Sequence, residues 1–222
     1  MTPTPVVIAQ AAATPAGPAV NRALGLGEAR NPEPFTLEQR LLDGASRNDR
    51  ATVERALALG AKLGAKDELG RDALFRAVMD AQSLEMTRWL HEKGLPVDDA
   101  DVADRTPLSF AADFGLLDIV KYLVAEGAVV DRLDNQKRTP LLHAAGGDRP
   151  DVIAFLVEKG ADRNARDHFG DTPLIVACAK GNVAAAAQLL RLGVDTTIRD
   201  QEGRTAKERS APETAPCLAL PR

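Results

Sequence analysis

Three histidines are the first candidates for acid–base or metal chemistry in this chain. They are His91, His143 and His168, and they are separated by 52 and 25 residues. No pair has the i, i+4 spacing that brings two imidazoles to one face of a helix to bind zinc. The three positions fall near the end of one predicted helix, inside another, and in a turn. We therefore expect structural or surface roles for all three.

Two cysteines, Cys178 and Cys217, are the second candidates, and they form no C-x-x-C motif. Two thiols are too few for a disulfide framework or for a zinc site built from thiolates. We expect Cys178 to be a small buried residue and Cys217 to be an unpaired thiol in the C-terminal tail.

Other catalytic patterns are weak. Residues 25–30 (GLGEAR) resemble the start of a phosphate loop, but they lack the third glycine and follow no strand pattern. Ser109 has no partner base that spacing reveals. Aspartates recur at a regular step, which indicates turn formation rather than a catalytic pair; they are Asp101, Asp134, Asp167 and Asp200. We expect no enzyme activity, no cofactor and no metal.

The composition limits the classes of protein to which the chain can belong. Lysine and arginine total 28 against 32 acidic residues, and the two signs are interspersed. Nucleic-acid binding requires clustered cations, so it is not expected. No run of about 18 apolar residues occurs, so no membrane insertion is expected. Aromatic residues make up 4% of the chain, so the core must consist of alanine, leucine and valine.

A period of 33 residues organises most of the chain. The tripeptide Thr-Pro-Leu begins at Thr106, Thr139 and Thr172, and an aspartate stands five residues before each threonine. Repeat two is one residue longer, and we place the extra residue between its helices, near residues 80–83. The spacing predicts five units that start near residues 36, 69, 103, 136 and 169, with a truncated sixth from about residue 202.

Each unit predicts two short helices. Thr106 is an N-cap, and Pro107 takes the first helical position, where its missing N–H has no cost. Gly115 ends this helix, residues 117–125 form a second one, and Gly127 ends that one. A helix pair of this size cannot bury its own apolar face, so the units must stack into a solenoid.

These features resemble the ankyrin-repeat family. The resemblance covers residues 36–210, and it is clearest in 101–131, 134–164 and 167–195. Each of those segments has Thr-Pro-Leu, small alanines and a Gly-Ala-type ending. The resemblance implies an all-α solenoid of stacked helix-turn-helix units joined by short extended turns.

Several positions depart from the family pattern. The usual histidine after Thr-Pro-Leu is replaced by Ser109, Leu142 and Ile175. Asp72 replaces the threonine of repeat two, although aspartate is also a good N-cap. Asp104 and Lys137 replace turn glycines. These changes leave the local hydrogen bonding open, but they do not alter the predicted fold.

The two ends of the chain are predicted to lie outside the repeat domain, which we assign to residues 35–210. Residues 1–34 are rich in proline, alanine and glycine, which predicts a disordered arm. Within that arm, residues 9–11 (Ala-Gln-Ala) match the end of a signal peptide but follow no basic region, so an export-signal remnant is the open alternative. Thr36 and Gln39 predict a capping box at the start of the domain. Residues 211–222 are predicted to be a flexible tail.

The resemblance also implies a partner-binding surface. Members of the family usually contact partners, mostly proteins, through turn tips and first helices. Apolar side chains stand here at tips that are expected to be polar, and aromatic residues are favoured interface anchors. The predicted partner-binding residues are Leu69, Val102, Phe114, Gln136, His168 and Phe169. The alternative for the two phenylalanines is that they fold back over neighbouring repeats.

The resulting hypothesis is a non-catalytic protein–protein interaction module that acts as an adaptor, inhibitor or stabiliser of one partner protein. We expect it to be a monomer in isolation and favour the cytoplasm. One alternative is an exported accessory factor that assists or protects a periplasmic enzyme. Another is a small-molecule or enzymatic role in a pocket between repeats. The fold alone does not choose among these roles, because one fold serves many functions.

Overall fold

The computed structural model describes residues 35–212 and 215–219, and within them it shows an all-α solenoid without β-strands. The first helices of the five repeats are α1 (Leu37–Ser46), α3 (Ala73–Arg76, continued by a π-helix over Ala77–Ala81), α5 (Pro107–Phe114), α7 (Pro140–Gly146) and α9 (Pro173–Lys180). The second helices are α2 (Arg50–Ala58), α4 (Leu84–Glu92), α6 (Leu117–Ala125), α8 (Pro150–Glu158) and α10 (Val183–Arg191), and α11 (Ala215–Leu218) follows them. The predicted fold class is confirmed, whereas the predicted arm lies outside the described residues.

Side-chain caps start the first helices where the sequence predicts them. The hydroxyls of Thr106, Thr139 and Thr172 each accept the backbone N–H three residues further on, at 3.3 Å. Thr36 and Gln39 form the predicted capping box. The Thr36 backbone N–H donates to Gln39 Oε1 at 2.8 Å, and the Gln39 backbone N–H donates to Thr36 Oγ1 at 3.1 Å. These bonds satisfy donors that a helix N-terminus leaves without a partner, so local chemistry determines where each unit begins.

The extra residue of repeat two is absorbed inside its first helix. The chain widens into the π-helix over Ala77–Ala81, and Gln82 then takes a left-handed conformation with φ of 49°. A π turn holds one more residue than an α turn. Helix α4 therefore begins at Leu84, which is 33 residues before Leu117 at the start of α6. The insertion lies slightly earlier than the predicted region around residues 80–83.

The turns keep one geometry with and without glycine. Glycines at this turn position have φ of 76–77°, and Asp104 and Lys137 take the same left-handed region at 58° and 60°. The N–H groups of both residues still donate to the carbonyl three residues earlier, at 2.9 Å. The hydrogen bonding that the sequence left open is thus intact, although a residue with a Cβ carries about 1–2 kcal/mol of strain in this region.

The apolar core lies between the layer of first helices and the layer of second helices. In the first layer, α1 packs on α3, α5 on α7, and α7 on α9, while α4, α6, α8 and α10 pack in order in the second. Leu108 and Leu141, from the Thr-Pro-Leu motifs, are fully buried. Small residues let the helices approach closely: a Cβ on Gly147 would overlap the carbonyl oxygen of Asp113.

The bonding state of the C-terminal cysteine differs from its prediction. Cys217 is not an unpaired tail thiol: it forms a disulfide with Cys178 of α9, with 5.9 Å between the Cα atoms, and both residues are fully buried. The chain turns back before α11, because the Ala211 N–H donates to the Cys178 carbonyl oxygen at 2.9 Å. Helix α11 then packs on α10. The pairing was missed because two cysteines 39 residues apart form no local pattern.

Candidate partner-binding surface

The turn tips form a ladder of backbone hydrogen bonds that crosses the repeats. Each bond joins the tip of one repeat to the tip of the next, so the tips lie in sequence order along one edge. We call the surface formed by this edge and the first helices the inner face. The bonds join Leu69 to Val102, Ala103 to Asn135, Gln136 to His168, and Phe169 to Gln201, with N···O distances of 2.8–3.0 Å.

A buried aspartate in each turn accepts hydrogen bonds from the backbone of the tip. In each case one carboxylate oxygen accepts the backbone N–H groups two and four residues further on, which confirms the turn-forming role. The aspartates are Asp101, Asp134, Asp167 and Asp200. Burial raises the pKa of Asp200, but hydrogen bonds from the Arg204 backbone and from the side chains of Arg209 and Arg204 outweigh it and lower the pKa to about 2.

The predicted tip residues are exposed. Val102 is 66% exposed, Phe169 54% and Leu69 46%, and Gln136 and His168 are exposed as well. The described ring nearest to Phe169 is that of its own chain neighbour His168, at 5.6 Å between centroids. With 54% exposed, the Phe169 side chain is only partly covered within the protein. Contact of these residues with a partner remains a prediction.

Phe114 lies on the first-helix part of the inner face rather than at a tip. It is 40% exposed, and its ring centroid is 6.3 Å from that of Phe110. Phe110 in turn makes an edge contact with Phe75 at 5.2 Å, and the Arg105 guanidinium lies 4.1 Å above the Phe110 ring. Phe114 is thus the exposed end of an aromatic row that joins α3 to α5.

A cleft of about 400 Å³ opens on the inner face between the tips of repeats five and six. Val176 and Ala179 of α9 form part of its lining, and Phe169 borders it. Val176 occupies a helix position that holds a larger side chain in other repeats, namely Arg76, Phe110, His143 and Arg209. The cleft therefore exists where the row of large inner-face side chains is interrupted.

Charged side chains from three repeats surround the cleft. Asp171 stands where repeats two, three, four and six carry an arginine, and it is reached instead by Arg209 from the truncated sixth unit, at 3.4 Å. The same arginine binds Asp200 at 2.8 Å. Burial raises the pKa of Asp171, although the charge of Arg209 opposes that shift. Arg138 and Lys180 complete the cationic part of the lining.

Sequence reasoning did not identify the cleft or its charged residues. Two signals were present in the repeat alignment: a small Val176 in a row of large side chains, and an acidic Asp171 in a row of arginines. The arginines of that row are Arg71, Arg105, Arg138 and Arg204. Both signals become informative once each repeat is compared with the others position by position.

The histidines occupy the structural or surface positions that were expected. His91 Nδ1 lies 2.8 Å from the Leu95 carbonyl oxygen, and His143 Nε2 lies 3.0 Å from Asp134 Oδ2. Burial lowers the pKa of His143, although the hydrogen bond and charge of Asp134 act in the opposite direction. Across residues 35–212 and 215–219, no three His, Cys, Asp or Glu side chains are grouped to hold a metal ion. The helices of the same residues are too short or too polar to cross a bilayer.

Comparison with protein families agrees with this architecture. A family model described as ankyrin repeats in three copies matches residues 41–134 and 130–200. The matched region runs from Leu41 in α1 to Asp200 below the last tip, so it includes both helices of repeats two to five and most of repeat one. No curated protein matches the chain.

Proposed function

Because the chain belongs to the ankyrin-repeat family, we propose that it is a non-catalytic module that binds one partner protein through its inner face. Ankyrin repeats are generally protein–protein interaction modules, and they are typically not enzymes. The finer assignment is an adaptor, inhibitor or stabiliser that acts as a monomer and uses the tips and first helices for contact. The tip residues of that surface are already exposed in the structure.

The exposure of Phe169 is the observation that carries this proposal. An aromatic side chain that is 54% exposed at a turn tip gains little from folding. Interfaces are enriched in aromatic anchors that lie among less important contacts. Phe169 has this arrangement, because it borders a cleft and stands beside the exposed tip residues His168 and Gln201.

Paired binding and unfolding measurements test the proposal. Affinity capture with the full chain identifies proteins that wild type retains and Phe169→Ala does not. The Phe169→Ala variant should unfold within about 0.5 kcal/mol of wild type, as surface changes do. Its affinity for the captured partner should fall by more than about 1 kcal/mol, or roughly fivefold in Kd.

Leu59→Ala is the matched control, because Leu59 is 42% exposed at the end of second helix α2, away from the tips. This variant should keep both stability and affinity. Phe114→Ala is a second inner-face variant, with an expected loss of affinity in the same direction. Loss of stability with unchanged affinity in both phenylalanine variants would show that they are packing residues, and the proposed surface would be wrong.

The disulfide favours a second candidate, an exported accessory factor for another protein. Disulfides persist in oxidising compartments and are rare in the reducing cytosol. The Cys178–Cys217 pair is fully buried, as is usual for a structural bond rather than a reactive thiol. This pairing supports export over the cytoplasmic location that the sequence favoured.

Thiol trapping in intact cells separates the two locations. Cells that produce the full-length gene product are quenched with acid, and free thiols are alkylated before mass spectrometry. If Cys178 and Cys217 react only after reduction, and the protein fractionates outside the cytosol, the exported candidate is supported. Complete alkylation without reduction, together with cytosolic fractionation, would exclude it.

A further inference from the structure

We propose that the cleft between the tips of repeats five and six recognises an acidic segment of the partner protein. An apolar side chain of that segment would lie against Val176 and Ala179, and carboxylates flanking it would bind Arg138 and Lys180. This inference rests on the proposed protein-binding function and adds the chemistry of the segment that is bound.

The lining of the cleft supplies an apolar contact area beside charge. Val176 and Ala179 are half-buried, and the Phe169 ring borders the same opening. The volume of about 400 Å³ suits one or two side chains of an extended segment rather than a folded domain. Apolar contact alone would not select a partner, so the charged groups decide which segment fits.

The buried acids of the cleft accept backbone hydrogen bonds from the turns that they hold. Asp167 Oδ1 accepts the backbone N–H groups of Phe169 and Asp171, at 2.8 and 3.0 Å. Asp200 accepts two backbone N–H groups and also binds Arg204 and Arg209. Each of these two side chains is 2% exposed. They therefore have little capacity left to attract a cation from a partner.

The remaining cleft acids are also paired. Both carboxylate oxygens of Asp171 lie 3.4 Å from Arg209 nitrogens. Glu202 is 69% exposed, and its carboxylate binds Arg204 at 2.7 Å. The arginines of the truncated sixth unit are thus used within the protein. Arg204 and Arg209 bind acids that line the cleft, so they are not assigned to a ligand.

Arg138 and Lys180 retain unused donors. Arg138 is 38% exposed, and within the described residues its nearest carboxylate is Asp167, at 3.7 Å, which is beyond hydrogen-bond distance. Lys180 is exposed and donates to the Gly146 carbonyl oxygen at 3.2 Å. A guanidinium has five N–H donors and an ammonium has three. The cleft therefore has a surplus of donors beside its apolar lining, and a carboxylate is the complementary group.

The preference for acid must come from this cleft, because the chain as a whole does not attract anions. Its formal net charge is −4. A long-range attraction would therefore favour basic partners. Selection of an acidic segment requires the local pair Arg138 and Lys180, and this makes the inference testable with single substitutions.

Short capped peptides provide the probe. Three peptides share a central leucine and differ in the flanking residues, which are glutamate, glutamine or lysine. Each is titrated into the isotopically labelled full chain and followed by NMR. The glutamate peptide should bind roughly tenfold more tightly than its glutamine isostere at about 50 mM salt, with shifts centred on Phe169 and Lys180, and the difference should shrink at high salt. Equal affinities, preference for the lysine peptide, shifts elsewhere, or no binding would each overturn the inference.

Two variants locate the effect. Arg138→Gln and Lys180→Gln should each weaken binding of the glutamate peptide about fivefold and leave the affinity for the glutamine peptide unchanged. Arg105→Gln is the matched control, because Arg105 is the counterpart of Arg138 two repeats from the cleft and is bound to Asp101 at 3.0 Å. If Arg138→Gln alters unfolding, the exposed Lys180 still provides the test. An equal effect of Arg105→Gln would overturn the assignment.

Failure of this inference is distinguishable from failure of the proposed function. If Phe169→Ala weakens binding of the natural partner while the peptides show no preference for acid, the binding surface stands and the proposal of an acidic segment is wrong. If Phe169→Ala has no effect on the natural partner, the proposed inner-face function fails first. Selective loss of the glutamate peptide in both cleft variants supports the inference.

Discussion

Cys178 and Cys217 are 39 residues apart in sequence, yet their Cα atoms lie 5.9 Å apart and their sulfurs are bonded. This bond fastens the last segment of the chain where a full second helix would close a sixth repeat. Described residues of this segment contribute few buried apolar side chains to the core, among them Ala206 and Cys217 itself. The disulfide thus substitutes for apolar contacts that a complete terminal repeat would make.

Cys217→Ser should destabilise the oxidised protein by about 4 kcal/mol, because the crosslink restricts the unfolded chain over a loop of this length. Chemical denaturation with and without reductant measures the effect. Wild type under reducing conditions is the internal control, and it should lose a similar amount of stability. Equal stability of oxidised and reduced wild type would show that the bond does not hold the cap.

Leu141→Ala should lower the free energy of unfolding by about 2–5 kcal/mol, because the side chain is fully buried with repeats on both sides. Lys207 occupies the corresponding position in the truncated unit and is half-buried there. Lys207→Ala should cost less than about 1 kcal/mol, since no apolar side chain is removed from the core. Equal destabilisation of the two variants, measured by denaturant unfolding, would contradict the repeat register.

Asp72→Thr should stabilise the protein by about 1 kcal/mol at neutral pH. Asp72 caps α3 through Oδ1, but its buried Oδ2 has no hydrogen-bond partner among the described residues. Burial raises the pKa of Asp72 above 3.8. Stability is therefore lost as pH rises from 3.8 through the folded-state pKa, and the gain from Asp72→Thr should vanish below that window.

Thr139→Asp is the reverse substitution at the same position of repeat four. It should destabilise the protein at neutral pH, because it introduces a carboxylate at a site that is 2% exposed. Thermal unfolding of both variants at pH 7 and pH 3.5 checks the pair. A destabilised Asp72→Thr at pH 7 would show that aspartate is preferred at this cap.

His143→Gln should remove part of the pH dependence of stability below neutral pH. Burial lowers the pKa of His143 below 6.5, and this exceeds the opposing effect of Asp134. The unfolded chain therefore binds more protons in that window, so the wild type loses stability as pH falls below about 6.5. The variant should lose less stability than wild type between pH 7.5 and 5.5, as measured by denaturant titration. Identical slopes in the two proteins would contradict this assignment.

Local chemistry made much of the fold predictable from the sequence. Thr106, Pro107 and Gly115 mark one short helix through capping, ring geometry and left-handed backbone, and their 33-residue recurrence indicates a stack. The structure places α5 and α6 where this pattern predicts them. Such features depend on neighbouring residues alone, so one unit is enough to identify them.

The insertion in repeat two was predictable only in part. The period shows that one residue is added, because Leu74 lies 34 residues before Leu108. Its absorption as a π turn over Ala77–Ala81 depends on the neighbouring repeats. They hold α3 and α4 in register, so the extra residue widens the helix instead of lengthening the loop.

Contacts between distant residues required the tertiary structure. The bond between Cys178 and Cys217 forms because the chain turns back at Ala211, and no spacing rule encodes that return. The cleft likewise depends on stacking, because Arg138 and Lys180 line the same opening from neighbouring repeats. A repeating sequence specifies the local structure of each unit, such as its caps and helix ends. The side-chain contacts between units depend on how the units stack.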